Sequence, residues 1–450
     1  MLSNAIAKKV NTNYNSSIYL FMRYFMNIHF YTLGCKVNQY ETQSMREGLL
    51  ALGHTSFEKT AADAVIINSC TVTAESDRKT RQLVHKIRRN NPDAIILLTG
   101  CMVQAFPESA KELIDADIII GNRDVKKIIE AISNYNSKYF NVEKHIKGDM
   151  YNTPSISSFS ERTRAFMKIE DGCDRFCSYC IIPTARGRVR SRSIEDIKAE
   201  AENLAKNGYL EIVLVGINLS AYGFGEDFNL CDAVDAVCSV DGIKRVRLGS
   251  LEPDHITDEM LLRFKAKEKF CPQFHLSLQS GCNTTLKRMN RHYDSEFYFD
   301  LVSRIRNIFT DASITTDIMV GFAGETEEEF NESIAFAQKV KFARAHIFSY
   351  SRREGTVAAA LKSQVTKSEK ERRSKEMISV TKKTEYDFLC SQIGSIYSVL
   401  FENCSNGIAE GYTPNYSRVQ VKSVDIKNSE IKNILIKEVV DDYCIGEIAE

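Results

Sequence analysis

Three times in the front part of the chain, a run of β-prone apolar residues ends at a cysteine, and each cysteine opens a stretch of helical periodicity. NIHFYTL leads into Cys35 and a helical pattern through residues 40–52, and DAVIINS leads into Cys70 and ESDRKTRQLVHKIRR. PDAIILLTG leads into Cys101 and a shorter helix, and DIIIG adds a fourth strand. Such alternation predicts a parallel sheet covered by helices. The cysteines stand 35 and 31 residues apart, each step matching a βαβ unit of about 30 residues. In a parallel sheet the carboxyl ends of the strands share one edge, and ligands bind there. Three thiols remote in the chain are therefore expected to meet in space. The alternative is three buried structural cysteines, a common fate of a free thiol.

A second trio is local. Residues 173–180 read CDRFCSYC, which sets Cys173, Cys177 and Cys180 in a C-x3-C-x2-C spacing. The motif follows the first of six further strand candidates, AFMKI, EIVLVG, KRVRLG, FHLSLQ, ITTDIMVGF and ARAHIFSY, with helical patterns between them. Six βα steps predict an incomplete (β/α)6 barrel, since a full one has eight. The cysteine loop then lies at its carboxyl-terminal mouth. Ser193 with Asp196 makes a capping-box-like start for SIEDIKAEAENLAK. Thirteen cysteines are an odd number, scattered through an enzyme-sized chain. That fits a reducing compartment in which thiols stay free for metals or catalysis. Three local thiolates suit a 4Fe–4S cluster. They leave one iron open, and an open metal position holds a substrate or cofactor. Zinc completed by a distant His or Cys is the alternative.

With 450 residues the chain has room for two or three domains. A domain over 27–138 is followed by a polar linker over 139–158 and a barrel core over 159–389. Residues 390–450 change character: SIYSVLFE, GIAEGYT, SRVQVKS, IKNILIKEV and YCIGEIA read as five short strands. They predict a small β-barrel of oligonucleotide-binding type. The last ten residues carry four acids and no Lys or Arg, which weakens RNA gripping by this piece. At the front, no Asp or Glu precedes Glu41, while Lys8, Lys9 and Arg23 are basic, as in a transit peptide. Met22 and Met26 lie just before the first convincing strand, so residues 1–26 read as an extension or an over-extended start. IYLFMRYFM is too short to span a bilayer; no membrane partner is expected, and the placement expected is cytoplasmic.

The formal net charge is zero, which argues against a protein that coats nucleic acid non-specifically but leaves room for a local basic site. Arg186, Arg188, Arg190 and Arg192 alternate through ARGRVRSR. An extended strand would set all four on one face as a phosphate grip. A solvated or internally paired strand edge is the other reading.

A C-x3-C-x2-C motif after the first barrel strand is that of radical S-adenosylmethionine enzymes, and IEDGCDRFCSYCIIPTARGRVRSR resembles their methylthiotransferase branch. TLGCKVNQYET, INSCTVTAESDRKTRQ and LTGCMVQ resemble the N-terminal domain of that branch at all three cysteines. VLVGINLSAYG, SLEP, HLSLQSG with LKRMNR, and DIMVGFAGETEEEF carry the resemblance from residue 27 to about 440. One departure is Ala323 in GFAGET, where the branch normally has proline; it relaxes a turn and removes no ligand. Members act on isopentenylated adenosine in tRNA, on a ribosomal-protein aspartate, or on threonylcarbamoyladenosine in tRNA. The wording TLGCKVNQYET and SCTVTAESDRKTR is similar to the last group, whereas the others read closer to GCQMN or GCPKN at the first cysteine.

The resemblance implies two 4Fe–4S clusters, one on Cys173, Cys177 and Cys180 and one on Cys35, Cys70 and Cys101. It implies that S-adenosylmethionine sits on the open iron of the first and yields a deoxyadenosyl radical, and that the second serves the sulfur. It implies cofactor contacts from Gly216, Asn218, Ser277, Gln279 and Gly321, with Ser277 and Gln279 expected on one side of a strand. The partners implied are the tRNA anticodon loop and an external one-electron reductant, and the last domain is of the TRAM type. Outside enzymes, the rival is an iron–sulfur electron carrier with an RNA-binding tail.

Overall fold

The computed structural model describes residues 25–159 and 162–449. The extension expected over 1–26 therefore lies, through residue 24, outside the described residues. The described residues form two compact units: 25–145, 152–156 and 184–186 make the first, and 146–151, 157–159, 162–183 and 187–449 make the second.

In the first unit, strands Ile28–Thr32, Ala64–Ser69, Ile95–Gly100, Ile118–Ile120 and Tyr139–Asn141 make one sheet in chain order. Every neighbouring pair is parallel. The strand AVIINS is buried at all six positions, as a parallel strand covered on both faces must be. Its side chains alternate between two cores. Val65 and Ile67 pack with Ile96, Leu98, Val84 and Ile87, while Ile66 packs with Leu97, Ile118, Met45 and Leu49. Helix Ala74–Asn90 starts where the Thr73 side chain accepts the Ser76 N–H, with Glu75 and Asp77 in its first turn and Arg88 and Arg89 in its last. Those charges complement the helix dipole. The fifth strand corrects the expected linker: residues 139–141 pair with Ile118–Ile120 and belong to the sheet.

In the second unit, strands Arg164–Lys168, Glu211–Val215 and Arg245–Leu248 form a parallel sheet. Strands Ser250–Leu251, Gln273–Leu276, Ser313–Val320 and Arg344–Ser349 form another. Gly249 alone separates Leu248 from Ser250, so the two sheets continue as the six βα steps expected. One core of Leu214, Val246, Phe274, Ile314 and their helical neighbours underlies both. Ser193 caps helix Ile194–Lys206 by accepting the Asp196 N–H at 3.2 Å. Strands Ile396–Ser405, Ile408–Tyr412, Arg418–Lys422, Ile431–Val440 and Tyr443–Ile448 close into the small TRAM-type barrel. Among the described residues no helix is long and apolar enough to cross a membrane.

The small barrel is held at the amino-terminal ends of the core strands. Arg164, Glu211 and Arg245 each begin a strand. Glu211 is fully buried and receives Arg247 at 2.8 Å, Arg245 at 3.5 Å and Arg164 at 3.9 Å. The same arginines reach the small barrel: Arg245 donates to Tyr412 O at 2.9 Å, and Arg247 to Pro414 O at 2.8 Å. Arg164 and Arg247 both lie against the Tyr416 ring. Burial alone would raise the Glu211 carboxyl, but Arg247, Arg164 and Arg245 outweigh it and hold it at about 2. Glu211→Gln is expected to cost about 3–5 kcal/mol, because it strands buried guanidinium charge; Glu402→Gln, at a more exposed ion pair with Arg164, should cost under about 1 kcal/mol. Urea unfolding of the two variants checks the contrast. A carboxyl depressed in the fold contributes stability above its unfolded pKa, and that contribution drains away as pH falls towards 2. The gap between wild type and Glu211→Gln should therefore shrink in acid.

Candidate functional site

The first trio sits where adjacent parallel strands end. Cys35 is the N-cap of helix Lys36–Ala51, Cys70 follows strand Ala64–Ser69, and Cys101 opens helix Cys101–Ala105. Gly34 has φ +103°, and a Cβ there would lie 2.8 Å from Cys70 Sγ, so only glycine lets the Cys35 and Cys70 turns close on each other. The Asn38 side chain lies between two of the thiols. Its Nδ2 donates to Leu33 O and Ser69 O at 2.9 Å each. That aims Oδ1 at Cys35 Sγ, 3.7 Å away, and at Cys101 Sγ, 3.9 Å away. Burial pushes the Cys101 thiol up to about 12, with Arg186 opposing the rise, and burial also raises Cys70.

The second trio lies in the loop after strand Arg164–Lys168. Gly172, at φ +89°, lies so close to Arg188 O that a Cβ would stand 1.9 Å away. Cys173 N–H then donates to Gly187 O at 3.0 Å, and Ser178 N–H to Met289 O at 2.9 Å. Arg291 Nη1 donates to Cys177 Sγ at 3.1 Å, and the guanidinium pairs with Glu252. Burial drives the Cys173 and Cys180 thiols up to about 12. Iron ligation deprotonates such thiols outright. All thirteen cysteines are free thiols, and the seven outside the trios lie in core or partly buried positions, as a packing role predicts.

Cofactor residues expected from the sequence fall at the same strand edge. Gly216 follows strand Glu211–Val215, and a Cβ on it would lie 2.5 Å from Glu170 Oε2. Asn218 N–H donates to that oxygen at 2.7 Å. Asn218 Oδ1 and Gln279 Oε1 are buried acceptors with no partner among the described residues. Ser277 and Gln279 are both buried, but the expected strand alternation does not explain them. The strand ends at Leu276, and Gln279 adopts φ +65°. Gly321 is also left-handed, at φ +67°, and its N–H is given to Glu325 Oε2 at 2.6 Å. Asp317 pairs with His275 at 3.3 Å.

The four arginines do not share an exposed face. The extended segment covers only Arg190–Ser191. Arg190 pairs with Asp171 at 3.0 Å and Arg192 with Glu200 at 2.7 Å, all four side chains buried. Arg186 ends helix Ile182–Arg186 and is 0% exposed, paired with Glu41. Arg188 alone is exposed, at 58%, and pairs with Asp174. The phosphate grip expected of all four is therefore corrected to internal pairing for three. Missed in the sequence were Asn38, Glu41, Glu252 and Arg291. The last lies inside LKRMNR, and its place two residues before Tyr293, whose ring it covers at 4.9 Å, was the available signal.

Among the described residues no group of three His, Cys, Asp or Glu is arranged to hold a single metal ion. A cube spreads its thiolates over separate irons and needs no such convergence. The model of the Radical SAM superfamily matches residues 167–337, and that of Uncharacterized protein family UPF0004 matches residues 27–121. The threonylcarbamoyladenosine tRNA methylthiotransferase MtaB of Bacillus subtilis (strain 168) is 36% identical over 410 residues, covering 88% of this chain and 91% of that protein. This chain belongs to the radical S-adenosylmethionine methylthiotransferases. MtaB of Thermotoga maritima is 38% identical over 387 residues, 86% of this chain and 89% of its own. The tRNA-2-methylthio-N(6)-dimethylallyladenosine synthase of Natranaerobius thermophilus is 37% identical over 366 residues, 78% and 80% of the two chains. Among solved structures, the radical S-adenosylmethionine methyltransferase TsrM from Kitasatospora setae matches in fold, with TM-score 0.55, 14% identity and coverage of 75% and 77%. Radical S-adenosylmethionine methylthiotransferases take a 4Fe–4S cluster and S-adenosylmethionine. The local thiol trio and the unpartnered acceptors of Asn218 and Gln279 fit that pair.

Proposed function

We propose that this chain replaces the C2 hydrogen of N6-threonylcarbamoyladenosine at position 37 of tRNA, in the anticodon loop, by a methylthio group. The product is 2-methylthio-N6-threonylcarbamoyladenosine. The observation that carries the reading is the reach of the MtaB match, 91% of the Bacillus subtilis protein. Overall identity does not separate the two adenosine substrates, since the dimethylallyladenosine synthase stands at 37%. The wording TLGCKVNQYET around Cys35, similar to the threonylcarbamoyl group, favours the first.

Adenine C2–H offers no acidity to a general base, so the chemistry must come from a cofactor. Cys173, Cys177 and Cys180 would hold the cluster, which with S-adenosylmethionine and an external one-electron reductant would supply hydrogen-abstracting radical chemistry. The chain's own residues bind and orient. Asn218 Oδ1 and Gln279 Oε1 are acceptors for hydroxyl or ammonium hydrogens of S-adenosylmethionine. Arg291 holds the Cys177 sulfur through one N–H while Glu252 balances its charge. Cys35, Cys70 and Cys101 would hold the second cluster, which would serve the sulfur.

The RNA meets the carboxyl edge of the core strands. Phe176, 48% exposed, lies beneath the Arg188 guanidinium at 4.7 Å. Phe224, 60% exposed, leans on the His255 ring at 4.9 Å, and His255 touches Arg175 at 3.3 Å. Aromatic rings interleaved with arginine stack splayed single-stranded bases, and chemistry on a base atom requires that base out of its stack.

Mass spectrometry of tRNA nucleosides from a strain lacking the gene tests the substrate. The methylthio-threonylcarbamoyl nucleoside should vanish and its unmodified precursor accumulate, with the isopentenyl counterpart unchanged. Persistence of the product in a strain without a paralogue overturns the reading. Loss of the methylthio-isopentenyl nucleoside instead transfers it to the second substrate.

A further inference from the structure

We propose that Arg186 is a positioning residue for the front-domain cluster, donating a hydrogen bond to the Cys101 thiolate and setting the reduction potential of the cluster that the trio holds. The proposal rests on the reading that Cys35, Cys70 and Cys101 bind such a cluster.

Arg186 is 0% exposed, and burying a guanidinium is costly unless every donor is used. The donors are divided in a specific way. Nη1 and Nη2 both face the Glu41 carboxylate, Nη2 at 2.9 Å from Oε2. Nη2 also donates to Asn38 Oδ1 at 2.7 Å, the oxygen aimed at the Cys35 and Cys101 sulfurs. Nε gives its hydrogen to Cys101 Sγ at 3.2 Å. A structural ion pair needs only the fork. Here the side of the guanidinium is also committed to sulfur, and Asn122 Nδ2 approaches the same sulfur at 3.9 Å.

Arg186 and Cys101 are both buried, which makes the charges at this contact count for more than in water. A cube on three thiolates is net negative and becomes more so on reduction, so a nearby cation and an N–H to sulfur both favour the reduced form. Glu41 offsets part of the cation and moderates the effect. The other trio has a counterpart, with Arg291 on Cys177 Sγ at 3.1 Å and Glu252 as its carboxylate. The two trios thus repeat one device, a thiolate held by an arginine that a glutamate holds in turn.

The test is a redox titration of the reconstituted full-length chain followed by electron paramagnetic resonance, with iron content and thermal unfolding read in parallel. The front cluster's wave is the one missing in Cys101→Ala. Arg186→Gln should leave iron content unchanged and move that wave to a more negative potential, with the other cluster's wave in place. Arg186→Lys, which keeps the charge, should recover part of the shift. Glu41→Gln should move the wave the opposite way, and it serves if Arg186→Gln does not fold. Unmoved potentials in iron-replete Arg186→Gln, or in Glu41→Gln, overturn the proposal. A wild-type chain with a single titrating cluster removes instead the reading beneath it.

Discussion

Cys177→Ala should stop the release of deoxyadenosine from S-adenosylmethionine under dithionite, a loss of at least about a thousandfold, because under the proposed function it removes a ligand of the group that performs the chemistry. The fold should survive. The loop is tied by Cys173 N–H to Gly187 O at 3.0 Å and Ser178 N–H to Met289 O at 2.9 Å, neither of which uses a thiol. Ser178 Oγ adds a bond to Arg288 O at 2.8 Å. Arg291 loses one acceptor at Cys177 but keeps Glu252 and Ser277 O, so unfolding should shift by no more than about 1 kcal/mol. Chromatography of the small-molecule products beside circular dichroism checks both halves. Wild type must release deoxyadenosine, and an electron carrier would not. A Cys177→Ala chain that releases it at the wild-type rate strips the residue of its ligand role.

The residues legible in the sequence are those whose role follows from local pattern. Strand AVIINS is apolar on both faces because helices cover both, and the cysteine after it falls at the sheet edge by the geometry of parallel strands. Six core strands and five barrel strands were legible for the same reason, each bounded by a change of hydrophobic period. Strand Tyr139–Asn141 was not. It has three residues at an edge, two of them exposed, and a short exposed edge carries almost no alternation. The arginines failed for a different reason. Alternation in ARGRVRSR says which side chains share a face only if the backbone is extended, and Arg186 ends a helix. Their partners Glu41 and Glu200 are named by nothing near them in the chain. Arg186 and Glu41 are 145 residues apart, so a long-range ion pair looks like loose surface charge until it is folded. The grouping of Arg164, Arg245 and Arg247 on Glu211 was hidden in the same way.

Cys101→Ala separates the two trios and should behave unlike Cys177→Ala. Deoxyadenosine release should persist, since Cys173, Cys177 and Cys180 are untouched, while the methylthio product falls below detection, again at least about a thousandfold. Iron per reconstituted chain should drop from about eight to about four, because a cube on two thiolates is not retained. The alternative, that Cys101 is a core cysteine, predicts otherwise. Its removal would then vacate little more than one sulfur atom and cost about 1–2 kcal/mol, with product and iron unaffected. The surroundings argue against a packing role. A core thiol is met by carbon, whereas Cys101 Sγ accepts from Arg186 Nε at 3.2 Å and from Asn122 Nδ2 at 3.9 Å. Such a polar setting suits a sulfur that carries charge. A Cys101→Ala chain that still makes the methylthio nucleoside would mean that the sulfur is served from elsewhere, and the front sheet edge would lose its part in the reaction.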